Sequence, residues 1–419
     1  MRVLLVNTSE HTGGASVAAG RLLDALNGNG VKAKMLVTRK TSDRPTVVGL
    51  PAAWRYQASF YAERLAIWTA NGFRRDHLFD VDPAWTGVDI TRLPEFREAD
   101  VIHLHWINQG MLSLGSVRRI LRTGKPVVWT LHDMWPFTGV CHYARECKKW
   151  LTGCHHCELL LHGGGTHDMS ATTFRRKATT YAGARLSFVA CSHWLAGLAA
   201  ASPLTAGHDV ASIPNPICTR RFRPGDKTAL RRRLGLPVDR KLILFVAYKV
   251  TSPLKGVGYL CEALGRLAAS HPEVRDSWQL VAVGREADSL AGRVPVPVTA
   301  VDYVSTEAGM MDYYRAADVL AMPSLHDNLP NTIAEAMACG MPCVGFDVGG
   351  LPQMIDHRQN GYLAAYRDSE DFARGLLDTL HPVHYAERQA AARRKAEHTY
   401  SESAVAGAYI DVYEKLLNT

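Results

Sequence analysis

PSLHDNLPNTIAEAMACGMPCVGFDVGGLP, residues 323–352, is the most informative stretch of the 419-residue chain. It reads as a strand end, a polar loop, a short helix, a second strand and a glycine pair. Asp327 and Glu335 lie eight positions apart, with Asn328, Leu329 and Pro330 just after the first. One carboxylate falls in the loop and the other about two turns inside the helix, roughly 12 Å along if all were helical. Between them lies a helix N-terminus, whose free N–H groups suit a phosphate. One acid is then placed to touch the group a nucleotide carries while the other holds a ribose. The bland alternative is a surface helix with a solvated Glu and a loop Asp.

Outward from this stretch, short apolar runs alternate with helical patterns. VLLVN (3–7) reads as a buried strand, followed by Thr12-Gly13-Gly14 and a helix over about 15–26. AKMLVT, DVIHLHW, PVVWTL and LSFVACS read as further strands. After residue 213 the pattern restarts with KLILFVAY, WQLVAVG, VTAVDYV, DVLAMPS and PCVGF. Strands separated by helices predict parallel, doubly wound sheets. Ile213-Pro214-Asn215-Pro216 breaks both regular structures and marks the boundary. The expectation is an α/β chain of two Rossmann-like αβα domains, 1–213 and 214–395, with their ligand at the strands' carboxyl ends, in a cleft between them. A terminal segment, 396–419, carries a helix with Val405, Ala408, Tyr409, Val412, Tyr413 and Leu416 at helical intervals. Its partner is open: its own domain, or a return to the N-terminal one.

Composition narrows the classes. Hydrophobic residues make up 47% of the chain, enough for two cores. No run is long and apolar enough for a transmembrane helix, and the first apolar run is too short for a signal peptide. Nine cysteines without a secretion signal point to a reducing cytoplasm. Residues 1–215 carry 24 Lys and Arg against 16 Asp and Glu, the whole of the chain's formal +8. Such a field draws anionic partners. The basic residues form no clustered run and no recognised nucleic-acid module, which argues against nucleic acid. In 52–79, Trp54, Tyr61, Leu65 and Trp68 recur at helical spacing among Arg55, Arg64, Arg74 and Arg75. This composition fits a helix lying on an anionic membrane, or an ordinary amphipathic helix packed on its own domain.

The segment 323–352 resembles the donor-site signature of the retaining glycosyltransferases of family 4, which share the GT-B fold. The resemblance extends to HTGGA at 11–15, DVIHLHW, TLHD, IPNPI at 213–217, Lys255-Gly256, Gly349-Gly350 and NGYL at 360–363. It implies that Glu335 binds the ribose hydroxyls of a nucleotide-diphosphate sugar and Asp327 the hydroxyls of the transferring sugar. Backbone N–H groups near Asn328 and Leu329 hold the sugar or phosphate, and Lys255 neutralises the diphosphate leaving group. Gly13 and Gly14 let the backbone approach the donor, and His132 sits beside the reacting sugar. Two departures stand out. Asp327 replaces the family's Glu, one methylene longer, and Lys249 stands nearest to where the family has an Arg, without its bidentate fork.

The resemblance implies transfer from a nucleotide-diphosphate sugar to a lipid-linked or glycan acceptor, in the cytoplasm or at the inner face of the membrane. No carboxylate is obviously placed as a nucleophile, which favours same-face transfer. No cofactor or divalent cation is expected for catalysis; Asp80-Val81-Asp82 imitates a metal-binding Asp-x-Asp but lies far from the donor segment. Cys141, Cys147, Cys154 and Cys157 fall within seventeen residues. They allow a structural zinc site, reduced or disulfide-paired thiols, or a redox role. A sugar-nucleotide epimerase of the same fold and a non-catalytic nucleotide-sugar binder are the competing classes.

Overall fold

Thirteen parallel strands, most of them buried apolar runs, build two separate sheets. The structure is a computed structural model and describes residues 1–418. The first sheet holds β1 (Arg2–Val6), β2 (Lys32–Val37), β3 (Val47–Gly49), β4 (Val101–Leu104), β5 (Val127–Leu131), β6 (Leu186–Ala190) and β7 (Val210–Ser212). Its order is β3-β2-β1-β4-β5-β6-β7. The second holds β8 (Lys241–Lys249), β9 (Trp278–Arg285), β10 (Val298–Val301), β11 (Val319–Met322), β12 (Cys343–Phe346) and β13 (Gly361–Ala364), in the order β10-β9-β8-β11-β12-β13. Each order reverses direction once, between β1 and β4 and between β8 and β11. Doubly wound sheets bind ligands at the carboxyl ends of the strands flanking such a reversal.

The chain divides into two units, Met1–Pro216 with the chain from Val405, and Ile217–Ala404. In the first, alternation along β1 sends Leu4 and Val6 into one core cluster and Val3 and Leu5 into the other, so the sheet is covered on both faces. The terminal helix Glu402–Asn418 supplies that second cluster with Val405, Tyr409 and Tyr413. In the second unit Ile243, Phe245, Leu260, Leu264, Phe346 and Phe372 share one core cluster.

Helix α1 (Gly14–Gly28) follows β1 and starts at Gly13, whose φ of 88° suits glycine. Helix α2 (Ala53–Ala70) connects β3 to β4. Strands β3 and β7 have only three residues, too few for a periodic signal, and β13, with four, was not read from the sequence either. Among the described residues no helix is long and apolar enough to cross a membrane.

Candidate functional site

Two glycines pin the loops at the carboxyl ends of the second sheet. Gly256 has φ +64, and a Cβ there would lie 1.9 Å from the Pro323 carbonyl oxygen. Gly349 has φ +60, and its Cβ would lie 2.0 Å from the Asp327 carbonyl oxygen. Any side chain at either position would force the backbones apart. The Gly350 N–H donates to the same Asp327 carbonyl at 3.1 Å, and the Leu325 N–H donates to Leu254 at 2.8 Å. The loops after β8, β11 and β12 are thereby joined.

Within this frame the Lys255 ammonium donates to Asp327 Oδ2 at 2.7 Å. These side chains were expected on different parts of a ligand, diphosphate and sugar; the structure brings them together as a half-exposed ion pair. Glu335 lies in the helix Asn331–Ala338, which Pro330 precedes in extended conformation. Its carboxylate is buried and accepts from Tyr314 Oη at 2.6 Å. Tyr314 comes from another helix, Glu307–Ala316, and carried no signal in the sequence beyond its place on an apolar face. Lys249 pairs with Glu286 at 2.9 Å rather than with an acid of the donor segment. Asn328 is half-buried and Leu329 buried in the loop after β11.

In the first unit, His132 ends a row of three buried rings. His103 and His105 stack with centroids 4.3 Å apart, and His105 Nδ1 faces His132 Nε2 at 3.0 Å. The Cys191 thiol is 3.7 Å from His132 Nδ1 and donates to Asn215 Oδ1 at 3.2 Å. Burial pushes His103 down to about 3 and His132 to about 4, and drives His105 well below the ordinary value, so the rings are neutral. A neutral pair shares one hydrogen, so each ring fixes the other's tautomer. His105 Nε2 is buried without a hydrogen-bond partner.

Beside this row, Asp133 accepts from Trp106 Nε1 at 2.9 Å and from the Trp135 N–H at 2.9 Å, and pairs with His142 at 2.7 Å. Burial works to raise the Asp133 carboxyl, but the His142 ring and these donors hold it below its ordinary value. Alternation in DVIHLHW was the available signal for His105; Asp133 lay in the TLHD segment and His142 in the cysteine cluster, and neither was given a role.

Asp82 is a framework residue. It is buried, accepts from the Ala84 and Gln109 N–H groups at 2.9 and 2.8 Å, and faces the Arg64 guanidinium at 3.3 Å.

Cys141, Cys147, Cys154 and Cys157 lie near enough to act on one another's charge, and among the described residues no three His, Cys, Asp or Glu side chains form a group able to hold a metal ion. All four are free thiols. Burial raises Cys141 to about 12 and Cys154 to about 11, so both are neutral thiols at neutral pH. Cys154 Sγ instead accepts from the Gly139 N–H at 3.2 Å.

Comparison with known proteins places this geometry. The model of the family described as glycosyl transferases group 1 matches residues 240–381, which span the donor segment. This segment belongs to the glycosyl transferases group 1 family. The chain is 35% identical over 223 residues to D-inositol 3-phosphate glycosyltransferase 2 of Catenulispora acidiphila, covering 49% of this chain and 50% of that protein. The chain spans about half the length of the curated relatives it matches. Among solved structures it is similar to the sucrose-phosphate synthase of Thermosynechococcus elongatus (TM-score 0.66, 18% identity, 100% of this chain and 99% of that one). It is also similar to HepE of Anabaena in complex with UDP-glucose (TM-score 0.63, 16% identity, 99% of this chain and 100% of that one). The two sheets therefore form the GT-B fold.

Proposed function

We propose that the chain is a retaining glycosyltransferase of the hexosyl type. It moves a sugar from a nucleoside-diphosphate sugar to a lipid-linked or polysaccharide acceptor, in cell-surface polysaccharide synthesis at the inner face of the membrane. The observation that carries this reading is the group 1 match over 240–381, which contains Lys255, Asp327 and Glu335. Two likenesses support it: HepE binds UDP-glucose, and the curated relatives carry D-inositol 3-phosphate in their name, a phosphorylated alcohol.

In this reading the bond from the anomeric carbon to the phosphate oxygen breaks as the acceptor hydroxyl attacks from the same face. The departing phosphate takes the acceptor's proton. Negative charge grows on the diphosphate, and the Lys255 ammonium meets it once it exchanges Asp327 for phosphate. Asp327 holds the ammonium in place until then and afterwards accepts from the sugar hydroxyls. Glu335 accepts from the two ribose hydroxyls. Positioning and charge stabilisation do the work, with no catalytic cofactor.

The test is nuclear magnetic resonance of UDP-glucose and other nucleotide sugars incubated with the protein, with and without glycan acceptors. A transferase gives slow hydrolysis alone and a product with the donor's anomeric configuration when acceptor is added. Interconversion of the nucleotide sugar without acceptor would mark an epimerase, and an unchanged donor a binder. Lys255→Ala is expected to lower kcat at least about a hundredfold, while Glu335→Ala chiefly weakens nucleotide binding. An unchanged kcat in Lys255→Ala would refute the role given to that lysine.

A further inference from the structure

Helix α2 is amphipathic the wrong way round. Its buried side chains are Glu63, Arg64 and Ile67. Arg64 bridges Glu63 Oε1 and Asp82 Oδ2, both at 3.3 Å, and donates to the Leu78 carbonyl, so the helix's charged pair faces inward. Three of its large apolar side chains face outward: Trp54 is 67% exposed, Tyr61 69% and Leu65 56%, while Tyr56, Phe60 and Trp68 are half-buried. With Ala58 and Ala62 these positions form one stripe at helical spacing, and the stripe contains no acid. The following loop adds Phe73 and Phe79, 65% and 57% exposed. Five large apolar side chains exposed on one helix and the loop that follows it mark an interaction site.

We infer that α2 and the loop after it are a docking face for an anionic lipid bilayer. The chemistry of the patch selects this occupant. Arg55, Arg74 and Arg75 are exposed around the apolar stripe, Arg55 with its guanidinium 5.4 Å from the Trp54 ring centroid. Of the two acids in the loop, Asp80 is engaged by His77 at 2.8 Å, and Asp76 is outnumbered by Arg55, Arg74 and Arg75. Aromatic side chains with a polar handle, flanked by guanidinium groups, suit the headgroup boundary of a membrane. A second copy of this chain would oppose arginine to arginine, so charge disfavours self-association through this face. Residues 1–215 carry the chain's whole positive excess, which adds long-range attraction to the same partner. The helix lies on the surface rather than crossing it, since no described helix is long and apolar enough to span. The inference rests on the membrane location given in the proposed function, but it is separable from the transfer reaction, because docking needs neither donor nor acceptor.

The test is co-sedimentation of the full chain with vesicles of phosphatidylcholine alone and of phosphatidylcholine mixed with phosphatidylglycerol. Binding is expected to the anionic vesicles and to weaken as salt is raised. The triple variant Trp54→Ser, Tyr61→Ser, Leu65→Ser alters only exposed side chains. Its circular dichroism and thermal midpoint are expected to match the parent, and its affinity for the anionic vesicles to fall at least about tenfold. Arg55→Gln with Arg74→Gln is expected to reduce the preference for phosphatidylglycerol. No pelleting with anionic vesicles, or pelleting unchanged in the triple variant, would overturn the inference. So would a dimer in sedimentation velocity that the triple variant abolishes, because the face would then belong to a second copy. Activity on a soluble acceptor is unaffected by any of these outcomes, so failure here and failure of the transferase reading are separable.

Discussion

Tyr314 reaches Glu335 from a neighbouring helix and donates at 2.6 Å to a carboxylate that is only 9% exposed. A buried carboxylate deprived of a donor keeps its desolvation cost, which for one lost partner amounts to about 1–3 kcal/mol. Tyr314→Phe removes the hydroxyl and little else. It is expected to lower stability in urea unfolding by that amount, and to weaken nucleotide binding about tenfold because Glu335 loses its fixed orientation. Calorimetric titration with nucleoside diphosphate checks the second effect; unchanged affinity would separate Tyr314 from the site. Glu335 itself was legible, since its spacing from Asp327 and its place inside a helix are local properties of the chain. Tyr314 was not, because a tyrosine 21 residues upstream declares its partner only when two helices pack. The pairing of Lys255 with Asp327 was hidden for the same reason: their 72-residue separation is closed by loops that Gly256 and Gly349 allow to touch.

Strands and helices were readable wherever an apolar run was long. Ten strands announce themselves as apolar runs in the sequence, while β3, β7 and β13 depend on neighbours already in place. For α2 the sequence offered two orientations, and Asp82 decides between them by drawing Arg64 inward from 18 residues away. The carboxyl ends of β4 and β5 hold a second feature that only packing reveals, the neutral row His103, His105 and His132. A histidine pushed below its unfolded value lends stability that is complete above about pH 6.5 and is lost as pH falls towards its folded value. Two of these folded values are about 3 and about 4, so the loss begins near neutrality and deepens down to that range. Glu63, raised by burial and by its neighbour Asp82, opposes the trend with one proton against three. Stability is therefore expected to fall on acidification from about pH 6 to about pH 5, by about 1.4 kcal/mol per pH unit for each unbalanced proton. Urea midpoints across that range check the sign, and a His105→Asn variant is expected to show a shallower slope.

At the scale of the whole molecule, the chain builds one unit, leaves it at Pro216, builds a second, and returns from Val405 to finish the first. The two αβα repeats were plain in the sequence, but the destination of the last helix was not, since periodicity gives a face without its partner. That helix is structural for the first unit in a specific way. Tyr413 Oη lies 2.6 Å from His103 Nδ1, and Tyr409 Oη lies 2.8 Å from Thr130 Oγ1, which in turn contacts His103 Nε2 at 2.7 Å. Ending the chain after Ala404 would strip Val405, Tyr409 and Tyr413 from the core that contains Val3 and Leu5. It would also take from His103 Nδ1 and Thr130 Oγ1 their tyrosine partners. Losses of about 3–5 kcal/mol for each large core side chain, with about 1–3 kcal/mol for each orphaned polar group, exceed what a domain holds in reserve. Scanning calorimetry of the truncated chain is expected to show the transition of the 217–404 unit alone, with residues 1–216 open to protease. The isolated segment 217–404 is expected to unfold cooperatively, since its strands and core cluster are all its own. Two undisturbed transitions in the truncated chain would mean that the first unit closes without its last helix, and that the tyrosine contacts add little to it.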